Sequence, residues 1–120
     1  MSAVPINLLI EAGEDWSVSF NLRDEYEQYI NLNSYLVVAK MAKNYNKTAT
    51  KINLNPVVTL SSEGEVTLSL TAGQTSNLKF GRYVYDVVIT APLNQGGKKK
   101  KVIEGIITVQ EGVTLVWNIE

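Results

Sequence analysis

Apolar and polar residues alternate with a period of two along most of the chain, which predicts β-strands rather than helices. The clearest run covers residues 16–22, where Trp16, Val18, Phe20 and Leu22 are separated by polar residues. The same alternation recurs at residues 65–70 and 81–90. Because successive side chains of a strand point to opposite faces, each run predicts one face in a core and one in water.

Further extended segments are predicted at residues 6–11, 34–42, 51–60, 98–110 and 113–119, separated by polar connections at 24–33 and 43–50. We expect Tyr29 or Ile30 to be buried beneath the first connection, and Pro56 to lie at an edge, a bulge or a bend. The loop at residues 92–97 joins two arms of a hairpin. Seven or eight short strands, spaced by about 10 residues, predict an all-β antiparallel sandwich.

Residues 34–42 differ from the other strands because their apolar residues are nearly continuous. Such a strand is covered on both faces, or on one face by its own domain and on the other by a partner. The predicted core is made of the apolar members of the alternating runs: Trp16, Val18, Phe20, Leu22, Val37, Val66, Leu68, Leu70, Tyr83, Tyr85, Val87 and Ile89.

One short helical turn interrupts the strands. Thr71 and Gln74 have the spacing of a capping box, which starts a helix by satisfying its first backbone donors. In the strand that follows, a tyrosine can return its hydroxyl to the preceding connection as a tyrosine corner. Tyr83 is the first choice for that role and Tyr85 the second.

Composition removes several kinds of chemistry. The chain has 120 residues, a net charge of -1, and neither cysteine nor histidine, so we expect one domain without disulfides, thiolate chemistry or a cofactor. The balanced charge gives no long-range attraction to nucleic acid or an anionic membrane. No apolar run approaches the ~20 residues that cross a bilayer, and no leader pattern opens the sequence, so we expect a protein made in the cytoplasm.

Charged groups offer few candidate sites. Lys98, Lys99, Lys100 and Lys101 form the one basic run, which could contact an anionic partner or keep a hairpin edge from pairing. Paired catalytic carboxylates at Glu63 and Glu65, and a cation site among residues 14–15 or 24–27, are weaker alternatives to solvated acids. The glycosylation pattern at residues 46–48 is discounted without a secretory signal.

Three motifs resemble a known family. They are Ile10-Glu-Ala-Gly-Glu-Asp-Trp16, then Gly81-Arg-Tyr-Val-Tyr-Asp86 after a Thr-containing helical turn, and Val102-Ile-Glu-Gly-Ile-Ile-Thr-Val109. Together they are similar to small tailed-bacteriophage virion proteins, in particular the immunoglobulin-like N-terminal domain of phage baseplate upper proteins. The resemblance implies an immunoglobulin-like sandwich over residues 1–120 and a non-enzymatic structural role in a tail, baseplate, neck or capsid. It also implies other virion proteins and further copies of this chain as partners.

The chain departs from that family in a longer, more basic hairpin and in residues 115–120, which extend past the family's usual end. Val113, Leu115, Trp117 and Ile119 alternate with other residues, so this run either packs on its own domain or adds to a neighbour's sheet. The alternative function is a surface or glycan-binding module that uses the loop residues Tyr26, Tyr29 and Tyr45.

Overall fold

The computed structural model describes residues 3–111, which form nine strands and one short α-helix. In chain order they are β1 (Val4–Pro5), β2 (Leu8–Ala12), β3 (Trp16–Asn21), β4 (Leu36–Ala42), β5 (Ile52–Asn53), β6 (Val57–Leu60), β7 (Glu65–Leu70), α1 (Ala72–Ser76), β8 (Gly81–Thr90) and β9 (Lys99–Glu111).

The strands form two sheets that pack face to face. The large sheet has the order β1-β9-β8-β4-β5, with β2 also paired to β9, and the small sheet has the order β3-β7-β6. The small sheet has the order of the immunoglobulin strands B, E and D, and β9, β8, β4 and β5 have the order of G, F, C and C′. Strands β1 and β2, in the place of strand A, pair with β9. The predicted all-β immunoglobulin-like sandwich is therefore confirmed.

Two details differ from the prediction. Residues 51–60 form two strands rather than one, because Asn55 has a left-handed backbone (φ 52°) and Pro56 follows it, so the chain bends from the large sheet into the small one. In addition, β1 and β2 run parallel to β9, whereas all other strand pairings described are antiparallel. Alternation of residue types carries no information on strand direction, so the sequence did not reveal this edge.

The core lies between the two sheets. Most of the predicted core residues are buried, but Trp16, Val18, Phe20 and Val37 are only partly covered. Beneath the connection that follows β3, the buried residue is Leu32 rather than Tyr29, and Ile30 is partly covered. The predicted core omitted residues of β2, β4 and β9 and of two connections: Ile10, Ala12, Leu32, Ala39, Met41, Leu54, Val102, Ile103, Ile107 and Val109.

The capping box is present as predicted. Gln74 N donates to Thr71 Oγ1 at 3.2 Å, and Thr71 N donates to Gln74 Oε1 at 2.9 Å. Helix α1 is tied to the turn before β3, because the buried Thr75 hydroxyl donates to Glu14 O at 2.9 Å and accepts from Gly13 N at 3.0 Å. No helix within residues 3–111 is long and apolar enough to cross a membrane.

Two buried tyrosines of β8 anchor neighbouring segments through their hydroxyls. Tyr83 Oη donates to Lys79 O at 2.8 Å, four residues upstream, which is the bond that a tyrosine corner makes. Tyr85 Oη donates to Ile6 O at 2.6 Å and so holds the segment between β1 and β2. Burial raises the pKa of both side chains, that of Tyr85 to about 12.

We expect Tyr83→Phe to lower the free energy of unfolding by about 1 to 2 kcal/mol, because the Lys79 carbonyl loses its donor in a partly buried place. Urea denaturation measures the loss. Tyr26→Phe is the matched control. Tyr26 is 77% exposed, so removal of its hydroxyl should change the free energy of unfolding little. Equal stabilities of the two variants would contradict a structural role for the Tyr83 hydroxyl.

Tyr85 predicts a loss of stability at alkaline pH. Its pKa is raised from 10.0 in the unfolded chain to about 12 in the fold, so the protonated hydroxyl stabilises the fold below pH 10. That contribution, about 2 to 3 kcal/mol, is lost as the pH rises from 10 to 12. Tyr85→Phe cannot titrate, so its free energy of unfolding should approach that of the parent across this range. A difference that stays constant from pH 8 to 12 would contradict the assignment.

Candidate docking surfaces

The outer face of the large sheet carries aliphatic side chains that no other part of residues 3–111 covers. The outer face is defined by the residues of β2, β4, β8 and β9 that point away from the core. Leu36 is 61% exposed, Leu9 48%, and Val38 and Ile106 38% each. The partly exposed Val84 and Val88 lie between them, because register places Val88 beside Val38 and Val84 beside Ile106.

Charged residues cross the middle of the outer face. Register aligns Lys40, Asp86 and Glu104 in one row across β4, β8 and β9. Also on β9, Lys101 Nζ forms a salt bridge with Glu104 Oε1 at 3.1 Å, and the Glu104 carboxylate raises the pKa of Lys101. The outer face therefore combines exposed aliphatic side chains with a row of charged residues.

The connection at residues 43–51 forms a shallow recess at the side of the outer face. The recess has a volume of about 210 Å³, and its lining includes Val38, Tyr45, Lys51, Val84 and Asp86. Tyr45 is 69% exposed. A partner that docks on the outer face would also contact the aromatic ring of Tyr45.

A second apolar surface lies where the sandwich is open between the edges of its two sheets. We call it the edge groove. It has a volume of about 520 Å³, and its apolar lining comes from Val4, Ile6, Phe20, Leu22, Val102 and Ile103. Arg23, Asp24, Glu25 and Glu27 are also among the residues that line it. Strand β3 contributes Phe20 to the groove and pairs only with β7 within residues 3–111, so its other backbone edge has no partner strand there.

The four lysines of the basic run are all exposed, and they do not form a single patch on one sheet face. Lys99 and Lys101 lie opposite Thr90 and Val88 on the outer face, whereas Lys100 lies opposite the buried Ile89. A bulge follows at Val102, which turns two consecutive apolar residues, Val102 and Ile103, toward the core. The contact of these lysines with an anionic partner stays a prediction.

The acidic candidates are dispersed. Glu63 lies in a 3-10 turn, whereas Glu65 begins β7 and accepts a hydrogen bond from Thr59 Oγ1 at 2.6 Å. Asp15 Oδ1 accepts from Ala72 N at 2.7 Å, and Asp24 Oδ1 accepts from the backbone of Tyr26 and Gln28, so both carboxylates hold turns. Within residues 3–111, no three acidic side chains come together as a metal ion would need.

The three loop tyrosines do not form one sugar-binding platform. Tyr26 lies before β4 and Tyr45 after it, so roughly 20 Å of strand separates their connections. The face of Tyr29 is covered by the Arg23 guanidinium, 4.4 Å from the ring centroid, and Arg23 Nη2 donates to Tyr29 Oη at 3.1 Å.

Val113, Leu115, Trp117 and Ile119, predicted as an assembly strand, lie outside the described residues. The edge groove was not predicted from the sequence, whereas the second face of residues 34–42 was predicted to be covered by its own domain or by a partner. The signal for the outer face was present in the continuous apolar run at residues 34–42, since Leu36 and Val38 belong to it. The edge groove left no local signal, because it depends on the parallel pairing of β1 with β9.

Comparisons with known proteins give only distant likenesses. No protein-family model matches the chain, and no curated protein matches it. Among solved structures, the chain is similar to the NK cell receptor NKp44, at 16% identity and a TM-score of 0.44, over 90% of this chain and 100% of that one. It is also similar to a family 123 glycoside hydrolase from Clostridium perfringens, at 14% identity and a TM-score of 0.41, over 91% of this chain and 23% of that one. The immunoglobulin-like assignment rests on strand order and pairing.

Proposed function

We propose that this protein is a non-enzymatic structural component of a tailed-bacteriophage virion and that it acts by docking to other virion proteins through its outer face. The outer face carries the docking part of the proposal. The inner side chains Ala39 and Met41 of β4 are buried, and its outer side carries the exposed Leu36 and Val38 beside Lys40. Exposed aliphatic side chains grouped on one face mark an interaction site, and nothing within residues 3–111 covers these.

The virion part of the proposal rests on the sequence motifs at residues 10–16, 81–86 and 102–109. The fold gives those motifs structural roles that suit a rigid assembly unit. The first motif ends β2 and holds α1, the second contains Tyr83 and Tyr85, and the third carries Gly105 and most of β9, which pairs with strands on both sides. Their shared role is the architecture of the sandwich rather than the chemistry of a pocket.

Immunogold labelling of purified phage particles tests this proposal. An antibody against the chain should place gold at one position of the particle in negative-stain images. Particles that carry no label, and lack the chain when they are denatured and blotted, would contradict a role as a virion component. Binding of the pure protein to a glycan array would instead support the surface-module alternative.

A further inference from the structure

The inward-pointing side chains of β3 are less buried than those of β7, the strand with which it pairs. Trp16, Val18 and Phe20 point inward and are only partly covered. The residues directly opposite them on β7, which are Leu70, Leu68 and Val66, are 4%, 0% and 0% exposed. The two strands differ because β7 lies between β3 and β6, whereas β3 is the edge of the small sheet within residues 3–111.

An added strand beside β3 would complete this side of the sandwich. The backbone N–H and C=O groups of a free edge are a template for a further strand. In the neighbouring edge groove, Val4, Ile6, Val102 and Ile103 supply an apolar wall from the large sheet. A strand fitted there needs apolar side chains at every second position, so that one face enters the groove.

Residues 113–119 have that composition. Val113, Leu115, Trp117 and Ile119 occupy alternate positions, and Thr114, Val116 and Asn118 separate them. The run has seven residues and the free edge of β3 has six. It contains no charged residue, so burial of its apolar face carries no cost of desolvating a charge.

Chain length limits how much of this run can reach the edge groove of its own chain. Strand β9 ends at Glu111, where β2 pairs on one side and β8 pairs nearby on the other, so a tight hairpin has no free position beside β9. Glu111 is eight residues from Ile103 in the groove, which is about 26 Å along the strand. Ile119 is also eight residues beyond Glu111, so only the last apolar residue of a fully extended run could return that far.

We propose that residues 113–119 of one copy add as a strand to the free edge of β3 in a second copy, with their alternate apolar side chains in its edge groove. This inference rests on the proposed docking function and deepens it by naming a second copy of the chain as one partner. Donor run and acceptor edge are different surfaces, so the contact is head-to-tail and generates rings or filaments. Repeated contacts of this kind suit an assembly built from many copies.

Disulfide cross-linking tests the pairing directly, because the parent chain contains no cysteine. Ser19 of β3 is exposed, so Ser19→Cys is combined in turn with Thr114→Cys, Val116→Cys or Asn118→Cys in the full chain. Paired strands bring side chains within disulfide distance. The control places the cysteine on the opposite edge of the same sheet, as Thr59→Cys in β6, with the same three partners.

We expect mild oxidation of at least one Ser19→Cys pair to give a ladder of linked dimers and larger species on a non-reducing gel. Its yield should exceed that of the Thr59→Cys controls by about tenfold, because pairing raises the effective concentration of the two thiols. Adding Trp117→Asp should abolish the ladder, while circular dichroism shows an unchanged fold.

Two results would overturn the inference. A disulfide within one chain, seen as a faster-migrating monomer, would place the run on its own domain. Cross-linking no greater than that of the Thr59→Cys controls would remove the β3 edge as acceptor. Because the assay uses pure protein, either result leaves the proposed virion role intact, and absence of the chain from particles leaves the cross-linking result intact.

Discussion

Leu68→Ala is expected to lower the free energy of unfolding by about 2 to 5 kcal/mol. Leu68 is 0% exposed on the central strand of the small sheet, where β3 and β6 flank it. Removing its isobutyl group loses transfer free energy and leaves a cavity in a core that two sheets hold at fixed spacing. A loss of this size is a large part of the stability of a domain of this length, so thermal unfolding should shift clearly.

Urea denaturation with a matched control measures this effect. Leu60→Ala removes the same atoms from β6, where Leu60 is 42% exposed, and should change the free energy of unfolding by less than about 1 kcal/mol. Phe20→Ala should fall at the lower end of the range for Leu68, because Phe20 lies at the open side of the sandwich. Equal losses for Leu60→Ala and Leu68→Ala would contradict the two-sheet core.

Gly105→Ala is expected to lower the free energy of unfolding by at least about 2 kcal/mol. A Cβ at position 105 would lie 2.1 Å from Ile6 O, which is backbone and cannot rotate away. Ile6 N donates to Glu104 O at 2.9 Å, and Ile6 O accepts from Tyr85 Oη, so displacing Ile6 breaks contacts on both sides. The segment between β1 and β2 must therefore move away from β9.

Gly73→Ala is the control for the effect of the glycine itself. Gly73 lies in α1 with only Thr71 Oγ1 near its potential Cβ, at 3.9 Å, so the added methyl group meets no obstacle. The substitution should be neutral or stabilise the protein by up to about 1 kcal/mol. Hydrogen exchange should show faster exchange in β1 and β2 for Gly105→Ala alone. Unchanged stability of Gly105→Ala would contradict the close crossing of the N-terminal segment over β9.

Most of the fold could be predicted because most strands, and the start of the helix, are specified by residues a few positions apart in the sequence. The alternation at residues 65–70 and 81–90 gives β7 and β8 with the expected faces inward, and the Thr71 and Gln74 spacing gives the start of α1. The direction of β1 and β2 could not be predicted, since it depends on pairing with Ile103 and Ile107, about 100 residues away. The burial of Val102 and Ile103 together depends on a bulge that alternation does not encode.

The docking surfaces were predicted less well, because they depend on what remains uncovered after the sheets pack. The continuous apolar character of β4 indicated a covered second face, but only the structure shows that Leu36 and Val38 stay exposed. Strand β1 pairs with β9 and not with β3, which leaves the edge of β3 open beside the edge groove. The sequence of β1 alone does not predict which of these two strands it joins. The salt bridge between Lys101 and Glu104 spans the bulge at Val102 in β9, so it too depends on a feature that the alternation of residues does not encode.

Quantitative mass spectrometry of gradient-purified particles tests most directly whether the outer face attaches this protein to a virion. The variant Val38→Glu with Ile106→Lys changes the outer face, and Val57→Glu with Leu60→Lys makes the same charge changes on β6. We predict that the parent and the β6 variant are present in particles at the same fixed ratio to the capsid protein. For the outer-face variant, which should remain folded, this ratio should be lower by about tenfold or more. Equal amounts of both variants in particles, or absence of the parent chain from them, would contradict attachment through the outer face.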